Sequence, residues 1–130
     1  MAYIGPVRRW DIFWADLEPA VGHEQRGAAR PVLVVSNDGY NAAFRMATVI
    51  PATKLESKRR TPYTFEVLLP RGAVTDRHAT LLMPHQIRSI STIRLLDKIG
   101  VLKNPGTQRQ VEDRLLEHLG IAFEAEGVDG

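Results

Sequence analysis

The sequence predicts a mainly β fold, a small barrel of short strands with one C-terminal helix. Over the first hundred residues, short apolar runs rich in β-branched side chains alternate with Gly/Pro turns, as is typical of small barrels. After that, apolar residues recur at helical spacing. A chain of 130 residues suits one domain with one core, so residues 1–130 are predicted to form a single domain whose ends, 1–8 and 125–130, fray.

The strands are predicted from apolar alternation and from the turn residues that bound them. The predicted segments are Asp11–Leu17, Pro31–Val35, Met46–Ala52, Tyr63–Leu69, Ala79–Met83, Gln86–Ile90 and Ile99–Leu102, with helical turns at Ala42–Phe44 and Ser91–Leu96.

Two of these strands carry specific expectations. Pro51 lacks an N–H and requires a strand edge, a bulge or a strand end, which places Thr53 and Lys54 where the third strand opens into a loop. The fourth strand alternates, and Phe65 is expected to point inward with the apolar residues two and four positions later.

The C-terminal helix is predicted to begin at Thr107, which forms a capping-box pattern with Gln110. Its apolar stripe comprises Val111, Leu115, Leu119 and Phe123.

Composition excludes several classes of protein. With no cysteine there are no disulfides or thiolate metal sites, which fits the cytoplasm. No apolar run approaches the roughly 20 residues of a membrane helix, and the N-terminus lacks a signal-peptide core. No His/Asp/Glu cluster has ligand spacing, so neither a metal nor a cofactor is expected.

Charge is distributed unevenly along the chain. Residues 1–104 carry a net charge of +6 and residues 105–130 a net charge of −4. A basic body suits RNA binding, because neutralised phosphates supply most non-specific affinity. Plain solubility explains the same excess equally well.

The segment from Pro19 to Ser36 concentrates the chemically versatile residues. Its loop gathers His23, Glu24, Gln25, Arg26 and Arg30 between glycines and runs directly into a buried strand. A loop of this kind on a rigid strand is a common way to build a site. A solvated hairpin loop is the alternative interpretation.

The same residues carry a family resemblance. The segments Trp10-Asp-Ile-Phe-Trp-Ala-Asp-Leu-Glu-Pro, Gly22-His-Glu-Gln, Arg30-Pro-Val-Leu-Val-Val-Ser-Asn-Asp, Pro51-Ala-Thr-Lys and Gln86-Ile-Arg-Ser-Ile together resemble the MazF/PemK toxins. The resemblance covers residues 8–123, nearly the whole chain. It implies a small SH3-like β-barrel of the CcdB/PemK-like toxin fold. It also implies a sequence-selective, ribosome-independent mRNA endoribonuclease that acts as the toxin of a toxin–antitoxin pair.

The resemblance assigns catalytic roles to three residues. Arg30 falls on the family's catalytic arginine, and a guanidinium, always charged, can bind phosphate bidentately. Thr53 matches the catalytic threonine, although a β-branched residue there is also a simple strand former. Glu24 could act as the base or position Arg30, although a loop carboxylate is often only solvated. Metal-free cleavage by the 2′-hydroxyl needs a base, a charge stabiliser and an acid near one phosphate.

A second group of residues is predicted to line an RNA groove, because a basic channel is typical of single-strand binding. The group comprises Gly22, His23, Gln25, Arg26, Lys54, Lys58, Arg59, Gln86 and Arg88. Of these, His23 is expected at the rim. A rival scheme with two catalytic histidines finds no support, since the spacing pairs none of His23, His78, His85 and His118.

Two departures from the family pattern concern the site. Four residues separate Gln25 from Arg30 where the family usually has three, and Trp10 stands where a glycine is usual. Because a one-residue slip inside a strand would exchange its two faces, the extra residue is expected in the loop.

The resemblance also implies partners. They are single-stranded mRNA, an antitoxin with an acidic, extended C-terminal segment, and a second copy of the chain in a homodimer. No membrane association is expected. The alternative function is a gyrase-directed or other protein-binding toxin on the same fold, without RNA cleavage, because a fold does not determine a function.

Overall fold

The computed structural model describes residues 2–58, 60–75 and 77–122. Its strands are β1 (Asp11–Ala15), β2 (Arg30–Val34), β3 (Met46–Lys54), β4 (Val67–Leu69), β5 (Thr80–Leu82), β6 (Arg88–Ser91) and β7 (Leu95–Val101). The helices are α1 (Asp38–Phe44) and α2 (Pro105–His118), and single 3-10 turns lie at Glu56–Lys58, Pro84–Gln86 and Thr92–Arg94. The predicted class, mainly β with a C-terminal helix, is confirmed.

The sheet is antiparallel, in the order β4-β5-β3-β2-β1-β7, with β6 pairing beside β3. The nine-residue β3 is its centre, since it pairs with β2, β5 and β6. Its first four residues face β6 and its last three face β5. Pro51 lies between these two stretches, where the partner strand changes, and β3 continues to Lys54. The prediction that the strand opens into a loop at Thr53 is therefore wrong.

Side chains alternate between the two faces of the sheet along the central strands, and they form one apolar cluster on each face. On β1, Phe13 and Ala15 join one cluster and Ile12 joins the other. The cluster of Ile12 is covered by α2 through Val111, and the cluster of Phe13 is covered by Tyr3 from the N-terminal segment. Tyr3 packs edge-on to Phe13, and its backbone N–H donates to the carbonyl of Leu95 at 2.7 Å. Residues 2–8, which were expected to fray, thus include a residue packed on the core.

Several element boundaries differ from the prediction because side chains cap the backbone. The helix α2 begins at Pro105, two residues before Thr107, because the Asn104 side chain accepts from the backbone N–H of Thr107 at 3.0 Å. The capping-box prediction is therefore wrong, and a proline suits the first helical position because it has no N–H to satisfy. In the predicted stripe, Val111 is buried, Leu119 is exposed beyond the end of the helix, and Phe123 lies outside the described residues.

The fourth strand is shorter than predicted. Residues 63–66 form a turn in which the Glu66 carboxylate accepts from the backbone N–H of Tyr63 at 2.8 Å. Phe65 is consequently 40% exposed instead of pointing inward. Only Val67 and Leu69 keep the predicted inward alternation.

The remaining boundaries shift by a few residues. The helix α1 extends the predicted turn back to Asp38 because the Asn37 side chain caps it, accepting from the backbone N–H of Tyr40. The last strand, β7, begins at Leu95 and is longer than predicted, and the turn before it spans only Thr92–Arg94.

Candidate active site

Arg30 is the first residue of β2, opposite Ala15 of β1. Its side chain is half-buried and folds back over the preceding loop, where Nε donates to the carbonyl of Arg26 at 2.8 Å. Gly27 makes this possible, since its φ is +140° and a Cβ there would lie 2.5 Å from Cγ of Arg30. Within the described residues, the terminal guanidinium nitrogens donate to no protein atom. They are therefore available for an anionic ligand.

A small cavity of about 100 Å³ adjoins Arg30. Its lining residues come from β1, the end of the following loop, β2, β3, and β5 with the segment before it: Trp14, Ala29, Arg30, Pro31, Thr53, Lys54, His78 and Thr80. Thr53 is 4% exposed, and it is held in β3 opposite Leu81 of β5. The structure thus brings Arg30, Thr53 and Lys54 to one cavity, with rigid strands behind them.

Glu24 is not among the residues that line this cavity. One of its carboxylate oxygens accepts from the backbone N–H of Val21 at 3.0 Å, and the other lies 3.6 Å from a terminal nitrogen of Arg88. The three predicted catalytic residues are therefore divided. Arg30 and Thr53 share the cavity, whereas Glu24 pairs with Arg88 at the start of β6.

The loop between β1 and β2 is braced from several sides. The Gln86 side chain accepts from the backbone N–H of Gln25 at 3.2 Å and donates to the carbonyl of His23 at 3.1 Å. Glu18 accepts from the backbone N–H of Gly27 at 2.9 Å. These bonds give the loop a defined conformation, and this loop leads directly into Arg30.

The predicted RNA-contacting residues occupy different places. Exposed positions are held by Gly22, His23, Arg26 and Lys54. Arg88, at the start of β6, is half-buried, and Lys58 belongs to the turn Glu56–Lys58. Arg59 lies outside the described residues. The loop thus contacts the start of β6 through Glu24 and Arg88 and meets the end of β3 at the cavity, and Lys58 lies on the segment that follows β3.

Two cavity residues, His78 and Trp14, escaped the sequence reasoning. Trp14 lies on β1 and is 39% exposed, which is unusual for so large an apolar side chain. The sequence alone does not reveal that exposure. His78 was noticed only as one of four histidines without a partner. Its approach to Arg30 depends on the pairing of β5 with β3, which local sequence does not reveal.

A second cluster of charged groups lies between β4 and the turn Pro84–Gln86. Arg60 binds Glu66 through both terminal nitrogens, at 2.8 and 3.0 Å, and its guanidinium lies 3.7 Å above the Tyr63 ring. Burial raises the pKa of Glu66, but hydrogen bonds from Arg60 and from the Tyr63 backbone outweigh it and hold the pKa below its usual value. Burial lowers the pKa of His85, whose ring meets Phe65 edge-on. Arg60 is therefore committed to an internal ion pair.

Comparison with known proteins identifies the family. The family model described as the PemK-like, MazF-like toxin of type II toxin–antitoxin systems matches residues 8–119, most of the chain. The chain belongs to the PemK/MazF toxin family.

Individual relatives agree with this assignment. The chain is 41% identical to Endoribonuclease EndoA of Bacillus subtilis over 117 residues, which cover 90% of this chain and 94% of EndoA. It is 38% identical to Endoribonuclease MazF9 of Mycobacterium tuberculosis over 120 residues, which cover 88% and 98% of the two chains. Among solved structures, the crystal structure of MazF from Deinococcus radiodurans superposes with a TM-score of 0.75 at 25% identity, covering 91% of this chain and all of that one.

As a PemK/MazF toxin, the chain has the fold that the sequence resemblance implied. In its described part no helix is both long and apolar enough to cross a membrane. Residues 2–58, 60–75 and 77–122 contain no group of three His, Asp or Glu side chains able to hold a metal ion.

Proposed function

We propose that this toxin is a sequence-selective, metal-independent endoribonuclease that cleaves single-stranded mRNA through attack of the 2′-hydroxyl. The observation that carries the proposal is the meeting of Arg30 and Thr53 at one cavity. Both EndoA and MazF9 are named endoribonucleases, and the toxin has the fold of a solved MazF structure. The products would be a 2′,3′-cyclic phosphate and a 5′-hydroxyl.

Arg30 supplies the charge that the reaction requires. During attack of the 2′-oxygen, negative charge grows on the non-bridging phosphoryl oxygens, and a fixed guanidinium beside them lowers the barrier. The free terminal nitrogens of Arg30 suit this role, because its Nε is already anchored on the loop. Thr53 adds a hydroxyl on a rigid strand, able to donate to the same phosphate or to orient the 2′-hydroxyl.

The exposed basic residues around the cavity provide affinity for RNA. Lys54 lines the cavity and extends its positive charge outward, and Arg26 lies on the braced loop. Glu24 is paired with Arg88 and positions that arginine toward the RNA. Because these contacts are electrostatic, binding should weaken as salt rises.

Purified toxin incubated with a mixed RNA pool tests the proposal. Cleavage at a recurring short sequence should proceed in excess EDTA, and a substrate with a 2′-deoxynucleotide before the cut should stay intact. Activity lost on chelation and restored by magnesium would contradict the metal-independent mechanism. Cleavage of the 2′-deoxy substrate would contradict attack by the 2′-hydroxyl.

An antitoxin with an acidic, extended C-terminal segment is the proposed protein partner, since the family consists of toxins of type II toxin–antitoxin systems. The segment would cover the basic surface around Arg26 and Lys54 and so exclude RNA. An acidic peptide with aromatic residues should compete with RNA for this surface. If a neutral scrambled peptide inhibits cleavage equally strongly, the proposed acidic partner is refuted.

We also propose that the toxin is a cytoplasmic homodimer. The described surface holds large apolar side chains that one small core does not cover, among them Trp14, Ile93 and Leu119. Sedimentation at micromolar concentration should give twice the chain mass of 14.5 kDa, and a monomer would contradict the dimer. A gyrase-directed or other protein-binding toxin without RNA cleavage is not favoured, because both named relatives are endoribonucleases.

A further inference from the structure

The cavity beside Arg30 contains a histidine, His78, to which the resemblance assigns no role. It lies two residues before β5 and lines the cavity together with Arg30 and Thr53. Its Nδ1 is buried and has no hydrogen-bond partner within the described residues. No hydrogen bond to the described protein therefore commits this ring nitrogen to a structural role, although a buried polar atom usually has such a partner.

The composition of the cavity decides what His78 can do. Arg30 is permanently protonated and Lys54 is an ammonium donor, so neither takes up a proton at neutral pH. The Trp14 indole only donates, and threonine hydroxyls are not basic. Among the described lining residues, His78 is therefore the side chain able to accept a proton.

Glu24, the carboxylate that the resemblance offers as a base, is occupied elsewhere. It accepts from the Val21 backbone and pairs with Arg88, and it does not line the cavity. A general base must reach the proton it abstracts, so geometry takes precedence over residue type.

We propose that His78 is the general base of the RNA cleavage, an inference that rests on the proposed function. A ring nitrogen of His78 takes the proton of the 2′-hydroxyl while the 2′-oxygen forms its bond to phosphorus. The bond between phosphorus and the 5′-oxygen breaks, and the 5′-oxygen receives a proton from water. The imidazolium returns its proton to water after the products leave.

The direct test compares His78→Gln with Glu24→Gln and with His118→Gln, a control on the exposed end of α2. Single-turnover cleavage should fall about 100-fold or more in His78→Gln, the usual contribution of a general base. Affinity for a 2′-deoxy RNA that cannot be cut should stay within about twofold. His118→Gln should cleave like the wild type.

The pH profile separates a base from a structural residue. Wild-type cleavage should rise with pH on the acidic side, because a general base must be unprotonated to accept the proton of the 2′-hydroxyl. The charged groups that line the cavity in the described chain are Arg30 and Lys54. The rise should vanish in His78→Gln and persist in Glu24→Gln. Added imidazole should restore part of the cleavage by His78→Ala, which leaves room for it.

The outcomes distinguish the two hypotheses. Three outcomes would overturn the role of His78. One is wild-type activity in His78→Gln, and another is loss of the rise in cleavage with pH in Glu24→Gln. The third is an equal loss of RNA affinity and cleavage in His78→Gln, without rescue by imidazole. These results leave the proposed function intact. Absence of RNA cleavage by the wild-type toxin would overturn the proposed function itself.

Discussion

At the scale of single residues, Glu66 shows how a charge is kept inside a small domain. Its side chain is only 1% exposed, and it is held by both terminal nitrogens of Arg60 and by the Tyr63 backbone. Charge-assisted, bidentate bonds of this kind offset the cost of burying a carboxylate. The pair ties Arg60 to the turn that precedes β4.

Replacing Glu66 by Gln should destabilise the toxin by about 1.5 to 3 kcal/mol at pH 7, the range for hydrogen bonds to charged groups. Because the folded-state pKa of Glu66 is depressed, its contribution is fully present above the unfolded pKa and is lost as the pH falls from there through the lower folded-state pKa. Urea unfolding at several pH values should therefore show a smaller acid loss in Glu66→Gln than in the wild type.

The matched control is Glu117→Gln, which breaks the exposed ion pair with Arg114. Exposed pairs contribute at most about 1 kcal/mol, so this variant should unfold nearly like the wild type. Equal destabilisation of both variants would show that the buried pair has no special role.

At the scale of elements, the loop between β1 and β2 absorbs the extra residue that separates Gln25 from Arg30. The strand β2 begins at Arg30, one residue before the predicted start at Pro31. The backbone N–H of Leu17 donates to the carbonyl of Gly27 at 2.8 Å. Residues 26–29 thus all lie in the loop before β2, and Gly27 leaves room for the Arg30 side chain.

Gly27→Ala should lower RNA cleavage by displacing the Arg30 side chain. The suitable control is Gly72→Ala, since Gly72 also has a positive φ, +94°, but a Cβ there would meet no atom within 4 Å. Both variants should lose about 1 kcal/mol or more of stability through backbone strain. If both variants lose cleavage, or if neither does, the proposed coupling between Gly27 and Arg30 is contradicted.

At the scale of the whole molecule, the sequence predicted the class of fold because its strands alternate strongly and its turns carry Gly and Pro. The predicted boundaries of helices and strands were wrong where a side-chain hydrogen bond outweighs the local pattern of apolar residues. Asn104 starts α2 two residues early, and Glu66 turns the chain where alternation suggested a strand. Such hydrogen bonds depend on the three-dimensional positions of the side chains, which the periodicity of apolar residues does not reveal.

The candidate site was predictable only in part for a similar reason. The resemblance pointed to Arg30 and Thr53, and the structure brings both to one cavity. His78 was not predicted, because it reaches that cavity through the pairing of β5 with β3. Glu24 lies on the correct loop, but its hydrogen bonds direct it to Val21 and Arg88 instead.

The central claim is that Arg30, presented by β2 beside Thr53, stabilises the charge that develops during RNA cleavage. The most direct measurement is the single-turnover cleavage rate of Arg30→Ala beside that of Arg26→Ala, with circular dichroism and melting temperature recorded for both. Arg30→Ala should lose about 100-fold or more of the rate, as when one charge-stabilising donor is removed, and should melt close to the wild type. Arg26→Ala should lose mainly affinity. A comparable rate in Arg30→Ala together with an inactive Arg26→Ala would show that Arg26 is the catalytic arginine and would contradict the account.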